Sequence, residues 1–389
     1  MSLERVYLDY NATSPLLPVA REAMVAALDL IGNPSSIHAE GRMARRALET
    51  SRASVAALMG VRVRDVVFTS GGTEAANLLL TPSLGDGGLP LERLFVCAGE
   101  HACVLQGHRF TAAQVEVVPM TAEGTIDLTA LSAMLAAAAP ARVMLALQAA
   151  NNETGVVQPV REASDIVHAA GGLVVCDAVQ AAGRIDISPE KLGADAVFMS
   201  AHKIGGPKGV AALAFANTRL HIGQALVRGG GQERGVRAGT ENVAAIAAFG
   251  AAAEWALSYR ETEMERLAGL RNALEAKVGA AFPDVVVFGR GAERLAQTSS
   301  LAVPGVPAET LLIALDLGGV AVSSGSACSS GKVQPSHVLA AMGIDLDLAK
   351  GALRVSFGWA SSEKDVQVFC ETFEKSVRNI RARQMRSAA

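Results

Sequence analysis

The chain has no block of basic residues. Its 35 lysines and arginines face 38 aspartates and glutamates for a net charge of -3, so neither nucleic acid nor an anionic membrane is an expected partner. Long apolar runs are missing as well. The longest, Val243 to Ala253 (VAAIAAFGAAA), is too short to span a bilayer, and its alanines suit a packed helix. The opening MSLERVYLDYNAT lacks the basic and apolar regions of a secretory signal, and a cytoplasmic protein is expected. Cysteine is scarce. Cys97, Cys103, Cys176, Cys328 and Cys370 form no C-x-x-C pair, which argues against both a disulfide framework and a zinc site. No internal repeat or low-complexity tract occurs.

What is present is apolar residue in quantity. At 389 residues and 50% hydrophobic content, the chain is long enough for two domains and a sizeable core. Small molecules or another protein are then the expected partners. From Leu94 to Val210, apolar runs (LFVCA, VEVV, VMLALQ, LVVCD, AVFMS) alternate with helical segments. This predicts an α/β fold with a mainly parallel sheet flanked by helices on both faces.

Ligands in such sheets bind at the carboxyl ends of the strands. The polar residues there are Glu100-His101, Asn151-Asn152-Glu153, Asp177 with Gln180, and Ser200-His202-Lys203. Each alone reads as a strand-end cap; several on one edge point to a site. Lys203 lies in SAHKIGGPKG (200–209), between two apolar strands, where the glycines exclude a helix and allow close backbone approach. Lost solvation would favour its neutral amine and make it a Schiff-base nucleophile; the alternative is a snorkelling lysine with a solvated head.

Asp65 to Leu80 passes from strand through Gly71-Gly72 into a helix opened by Thr73. That is either a phosphate cradle or a capped helix, and without Gly-Lys-Ser/Thr it is not the nucleotide P-loop. Cys97 and Cys176 lie in apolar strands as small core residues. Cys328, in SSGSACSSG (323–331), sits in a flexible, exposed loop. A thiol pKa lowered from about 8.5 would make it a nucleophile; otherwise it is an incidental surface thiol.

The first fourteen residues read as a turn-like segment lying across a surface, Gly32 to Ser36 as a loop, and Glu40 to Met59 as a helix with arginines on one face. Gly229 to Thr240 reads as a mobile basic loop. A long helix from Glu241 to about Ala281 is expected to be interrupted near Ser258-Tyr259, at a domain boundary. Strands near 285–288, 299–303, 320–323 and 353–357, with helices near 308–316 and 363–382, suggest a smaller α+β unit. The expected division is 14–257, the large domain, against 1–13 with 258–389, the small one carrying the Cys328 loop.

In order along the chain stand YLDYNAT, TSGGTEAAN (69–77), EH (100–101), NNETGVVQP (151–159), DAVQ (177–180), SAHKIGGPKG, RAGTEN (237–242), SSGSACSSG and RVSFG (354–358). Any one is weak; the ordered set is specific. Over essentially its full length the chain resembles the pyridoxal-phosphate cysteine desulfurases of the class V aminotransferase fold. The resemblance implies a PLP-dependent transferase of fold type I, with a mainly parallel sheet of the seven-stranded type. It implies that Lys203 carries pyridoxal 5'-phosphate as a Schiff base, that Asp177 pairs with the pyridine nitrogen, that His101 stacks on the ring and moves protons, and that Gln180 meets the phenolic oxygen. Gly72, Thr73, Ser200 and His202 would hold the phosphate, with Thr240 reaching in from the second subunit of a homodimer. Asn152, against the cofactor, and Arg354 would orient the carboxylate of L-cysteine.

By the same resemblance, Cys328 takes the substrate sulfur as a persulfide, leaving L-alanine, and passes it to an iron–sulfur scaffold protein, serving as a transient metal-cluster ligand on the way. Gln334 to Leu339 resembles the nitrogen-fixation branch, which implies nitrogenase maturation. Two departures stand out: Ala238 where many relatives have serine, and Cys103 as a second thiol beside His101. Rival readings fare worse. Ser200 to Lys203 satisfies S-x-x-K, but neither S-D-N nor K-T-G occurs. A papain-like protease needs its histidine and asparagine far downstream, and only 61 residues follow Cys328 (389 less 328). A non-catalytic descendant would have lost Lys203 or Asp177. An aminotransferase would have no use for Cys328, whereas a selenocysteine lyase would share nearly every residue.

Overall fold

The computed structural model describes residues 5–85, 87–216, 219–324 and 336–388. Its centre is a seven-stranded sheet of β1 (Val66–Thr69), β2 (Arg93–Cys97), β3 (Val115–Val118), β4 (Val143–Gln148), β5 (Leu173–Asp177), β6 (Ala196–Ser200) and β7 (Ala211–Phe215), in the order β1-β7-β6-β5-β4-β2-β3. Every neighbouring pair is parallel except those of β7, which runs antiparallel to β1 and β6. The expected α/β architecture is therefore present. Covered on both faces, the central strands read as unbroken apolar runs, and all six residues of β4 are buried. Alternation divides them: Phe95, Leu145, Cys176 and Val197 feed one core, and Leu94, Met144, Val175 and Phe198 the other.

Parallel strands share their carboxyl edge, so β1, β2, β4, β5 and β6 all end on one side. That edge gathers Gly71-Gly72, Glu100-His101, Asn151-Asn152, Asp177 and Lys203. Gly205 illustrates why glycine recurs there: its φ is +84°, and a Cβ would come within 2.6 Å of Leu17.

The helix Val243–Ala281 is 39 residues long and unbroken, so the interruption expected at Ser258-Tyr259 does not occur. What changes is the buried face. Up to Ala256 the helix packs into the core beneath the large sheet; from Leu267 to Val278 it packs into a second core with Phe369, Phe373 and Val377 of the C-terminal helix. Serine and tyrosine do not break a helix whose partners simply change. The second core also backs an antiparallel sheet of Val286–Val287, Thr298–Ala302 and Leu353–Ser356.

The N-terminal segment is not a surface strip. Val6–Tyr7 pairs in parallel with Val320–Ala321, and Asp9 bridges Ser356; Leu8, Tyr10 and Asn11 are buried. A Cβ on Gly358 would fall 1.9 Å from the Tyr10 ring, so glycine at that position is what admits the ring.

The basic loop at 229–240 is held down rather than free. Glu233 and Arg234 take left-handed φ values of 46° and 58°, a conformation that costs non-glycine residues of order 1–3 kcal/mol each. An anchor overrides it: Arg52 pairs with Glu233 through two 2.7 Å hydrogen bonds, with side chains 4% and 2% exposed. Glu233 also accepts the Phe68 N–H at 3.0 Å. Glu233→Ala would leave the buried guanidinium only the Glu49 carboxylate at 3.3 Å and the Val66 carbonyl at 3.1 Å, and a loss of about 3 kcal/mol is expected, read as a lower denaturant midpoint with unchanged slope.

Candidate active site

Lys203 closes a short 3-10 turn, Ala201–Lys203, immediately after β6. Its Nζ donates to the carbonyls of Asn11 at 2.5 Å and Ala12 at 2.8 Å. Burial and the Arg354 and Arg184 charges lower its pKa to about 8, against the opposing pull of Asp9 and Asp177. Arg184 holds the turn from behind, donating to the carbonyls of Gln180 at 2.6 Å and Lys203 at 3.2 Å.

Asp177 ends β5. One carboxylate oxygen accepts the Val179 N–H at 2.8 Å, and burial raises the group to about 6 despite that bond and Lys203. Two strands away, across β4, Glu100 accepts the Gln148 N–H at 2.7 Å through Oε1, while its buried Oε2 has no partner. Burial, then the neighbouring Asp177 charge, pushes Glu100 far above the usual carboxylate range. Glu100 thus favours its neutral form, leaving Asp177 as the carboxylate of the sheet edge.

His101 is exposed, and its Nδ1 accepts the Cys103 N–H at 3.1 Å. Surrounding protein, Lys203 and His337 lower its pKa, so its neutral form dominates at neutral pH. His202 is held at about 4 by burial and by Lys203 and Lys208; its Nδ1 shares a 3.2 Å hydrogen bond with Thr13 Oγ1. Gln180 Nε2 donates to the Asn11 carbonyl at 3.0 Å, so lysine and glutamine meet on one oxygen. Helix Gly72–Leu79 points its N-terminus at the same edge, and a Cβ on Gly72 would lie 3.3 Å from Val179 and 3.7 Å from Ser200. Thr73 stands in its first turn. Thr240 is exposed, on a strap that Arg237 ties to Glu74 of that helix at 3.0 Å.

Arg354, on the strand Leu353–Ser356, donates to the Asn152 carbonyl at 3.0 Å and to Asp9 at 2.7 Å. Its backbone pairs with Ser323: the Arg354 N–H donates to the Ser323 carbonyl at 2.6 Å. Cys328 itself lies outside the described residues, but both flanks of its segment border the site. On the far side, Ser336 donates to Glu153 at 2.5 Å and His337 donates to the Glu100 carbonyl at 2.9 Å. Cys97 and Cys176 are buried in strands, and burial pushes Cys97 up to about 12. Cys103 is raised too, by burial and by Asp177 and Glu100, so it is no thiolate nucleophile. Among the described residues, no group of three or more histidine, cysteine or acidic side chains could hold a metal ion. The cluster-ligand expectation for Cys328 falls outside them.

Asp9, Asn11, Thr13 and Arg184 are the site residues that sequence reasoning missed. YLDYNAT was visible as a motif, but nothing in it signals that two backbone carbonyls receive a lysine.

The family profile Aminotransferase class-V matches residues 6–369. The chain belongs to the class-V aminotransferases. Within that family it is 39% identical to a cysteine desulfurase of Cereibacter sphaeroides, over 98% of this chain and 97% of the relative. It is 36% identical to the cysteine desulfurase IscS of Dictyoglomus turgidum, over 97% and 95%. Among solved structures, a NifS-like protein from Rickettsia africae superposes with a TM-score of 0.86 at 33% identity, covering 96% of this chain and all of that one.

Class-V aminotransferases work with pyridoxal phosphate, and the residues here fit that group. The Asp177 carboxylate, buried with an N–H on Oδ1 only, suits a pyridinium N–H. The Lys203 amine is held near neutrality, and the Gly71-Gly72 helix start offers free N–H groups to a phosphate. Cofactor loading is therefore expected to speed up as pH rises toward and through about 8, where Lys203 loses its proton. Following the visible absorbance of cofactor-free protein mixed with pyridoxal phosphate from pH 6 to 9.5 checks this; a flat profile contradicts it.

Proposed function

We propose that this class-V enzyme is a cysteine desulfurase that converts L-cysteine to L-alanine and takes the sulfur onto Cys328. Bound pyridoxal phosphate supplies an electron sink at the substrate α-carbon. Lys203 Nζ holds the cofactor and then accepts the α-proton, a role its lowered pKa suits. Asp177 would keep the pyridine nitrogen protonated, His101 would cover the ring and move protons, and Gln180 would meet the phenolic oxygen. Gly72, Thr73, Ser200 and His202 receive the phosphate. Arg354 and Asn152 orient the substrate carboxylate. Cys328 thiolate attacks the substrate sulfur: an S–S bond forms, the C–S bond breaks, and its electron pair stays with the carbon that becomes the alanine methyl group once protonated.

One observation carries this reading. Arg354 contributes its guanidinium to the amine site and its backbone to Ser323, where the Cys328 segment begins. Amine chemistry and thiol chemistry are thereby tethered to one residue, an arrangement that transamination does not need. The finer parts of the reading rest on the family resemblance: a homodimer in which Thr240 completes the partner's phosphate site, a cytoplasmic setting, and an iron–sulfur scaffold as sulfur acceptor, with nitrogenase maturation the branch that segment 334–339 resembles. The division at 14–257 against 1–13 with 258–389 belongs to the same reading: Val6 and Leu8 share the second core with residues 267–380, while Val338, Leu339 and Met342 of the smaller part pack into the first. Among the described residues no helix is long and apolar enough to cross a membrane.

The test is the visible spectrum of the reconstituted enzyme before and after L-cysteine, with alanine assayed. A yellow protein that yields alanine, with its sulfur recovered as persulfide on Cys328, supports the proposal. A colourless protein, or one that yields no alanine, overturns it.

A further inference from the structure

Asp9 is a charged group of the site with no part in the chemistry above. It accepts Arg354 Nη2 at 2.7 Å, while Nη1 donates to the Asn152 carbonyl at 3.0 Å. The Arg354 side chain is 3% exposed, and its buried Nε has no partner. A guanidinium is a planar fork of five donors. Contacts at both terminal nitrogens set its plane, and Nε is the guanidinium nitrogen left without a partner.

Asp9 is itself fixed. Its backbone bridges Ser356 in parallel register, and Tyr7 donates its hydroxyl to the Asp9 carbonyl at 3.1 Å. The carboxylate therefore sits on paired backbone, so little freedom is lost in holding Arg354.

We propose that Asp9 is a positioning residue for the substrate carboxylate: it holds the Arg354 guanidinium so that the Nε edge is presented to the incoming acid. The identity of the substrate rests on the desulfurase reading; the coupling of Asp9 to Arg354 does not. A second consequence concerns the lysine. Lys203 faces Arg354, Arg184, Asp9 and Asp177, with His101 and His202 nearby, and of these Asp9 and Asp177 are the charges that raise its basicity. Neutralising Asp9 leaves the Arg354 charge uncompensated beside the amine.

Asp9→Asn keeps the shape and removes the charge. In the holoenzyme, KM for L-cysteine is expected to rise about tenfold with kcat within about twofold, the signature of lost uniform binding. L-alanine should bind about tenfold more weakly, whereas ethylamine, the same skeleton without a carboxylate, should bind within about twofold of the parent. In cofactor-free protein, the pH midpoint for acetylation of Lys203 by acetic anhydride, read by mass spectrometry, should fall. Asp9→Glu keeps the charge and moves it, so it should hold that midpoint and still weaken L-alanine; it also serves if the asparagine variant does not fold. Equal weakening of alanine and ethylamine, or parental alanine binding in both variants, overturns the proposal. A parent enzyme that binds alanine but makes none from cysteine sinks the desulfurase reading and leaves the alanine and ethylamine comparison to judge Asp9.

Discussion

Lys203→Ala is expected to yield folded protein that lacks the visible absorbance of the bound cofactor and releases alanine from L-cysteine at least about 10⁴-fold more slowly. The expectation is large because one amine has two roles, as covalent anchor and as base. The effect should be chemical rather than structural. The Asn11 carbonyl that receives Nζ keeps Gln180 as a donor, and removing a half-buried amine also removes its desolvation cost. Thermal denaturation should therefore move by only a few degrees. Recovery of the absorbance with added pyridoxal phosphate, at the parent's affinity, would show that the lysine is not the anchor.

Cys328→Ala should separate the two halves of the reaction. The variant is expected to keep its absorbance and to respond spectrally to L-cysteine, because Lys203, Asp177 and Arg354 are untouched. Alanine release should drop by about 10³-fold or more, since no thiolate remains to accept the sulfur. No other thiol is placed to replace it: Cys97 and Cys176 are buried, Cys103 is held protonated by burial and by its acidic neighbours, and Cys370 packs against the second core with its pKa raised to about 11 by burial. A Cys328→Ala enzyme that turns over at the parent's rate removes the persulfide step and, with it, the reason for Arg354 to be shared with Ser323.

These two variants also mark how legible the site was. Lys203, Asp177 and Gln180 could be read from the chain because each follows an apolar run closely, and parallel strands bring their carboxyl ends to one edge. The same logic failed for Asp9 and Asn11. Asn11 acts through its backbone carbonyl, which has no residue signature, and Asp9 meets Arg354 across 345 positions. The turn-like composition of that segment suggested a surface, yet turns are also how backbone oxygens are aimed inward. The 229–240 loop misled for a similar reason: glycines and arginines suggested mobility, while the buried partner of Glu233 lies 181 residues away at Arg52.

From sequence alone came the alternation of strand and helix, the apolar strands, the edge on which chemistry gathers and the ordered motifs of the family, because periodicity and short-range spacing report local geometry directly. Left to the tertiary structure were the partners of the charges: which carboxylate stays neutral beside Asp177, what holds Arg354, and which carbonyls receive Lys203. Those depend on burial and on contacts between distant segments, and electrostatic energies in a buried site are set by separation in space rather than along the chain.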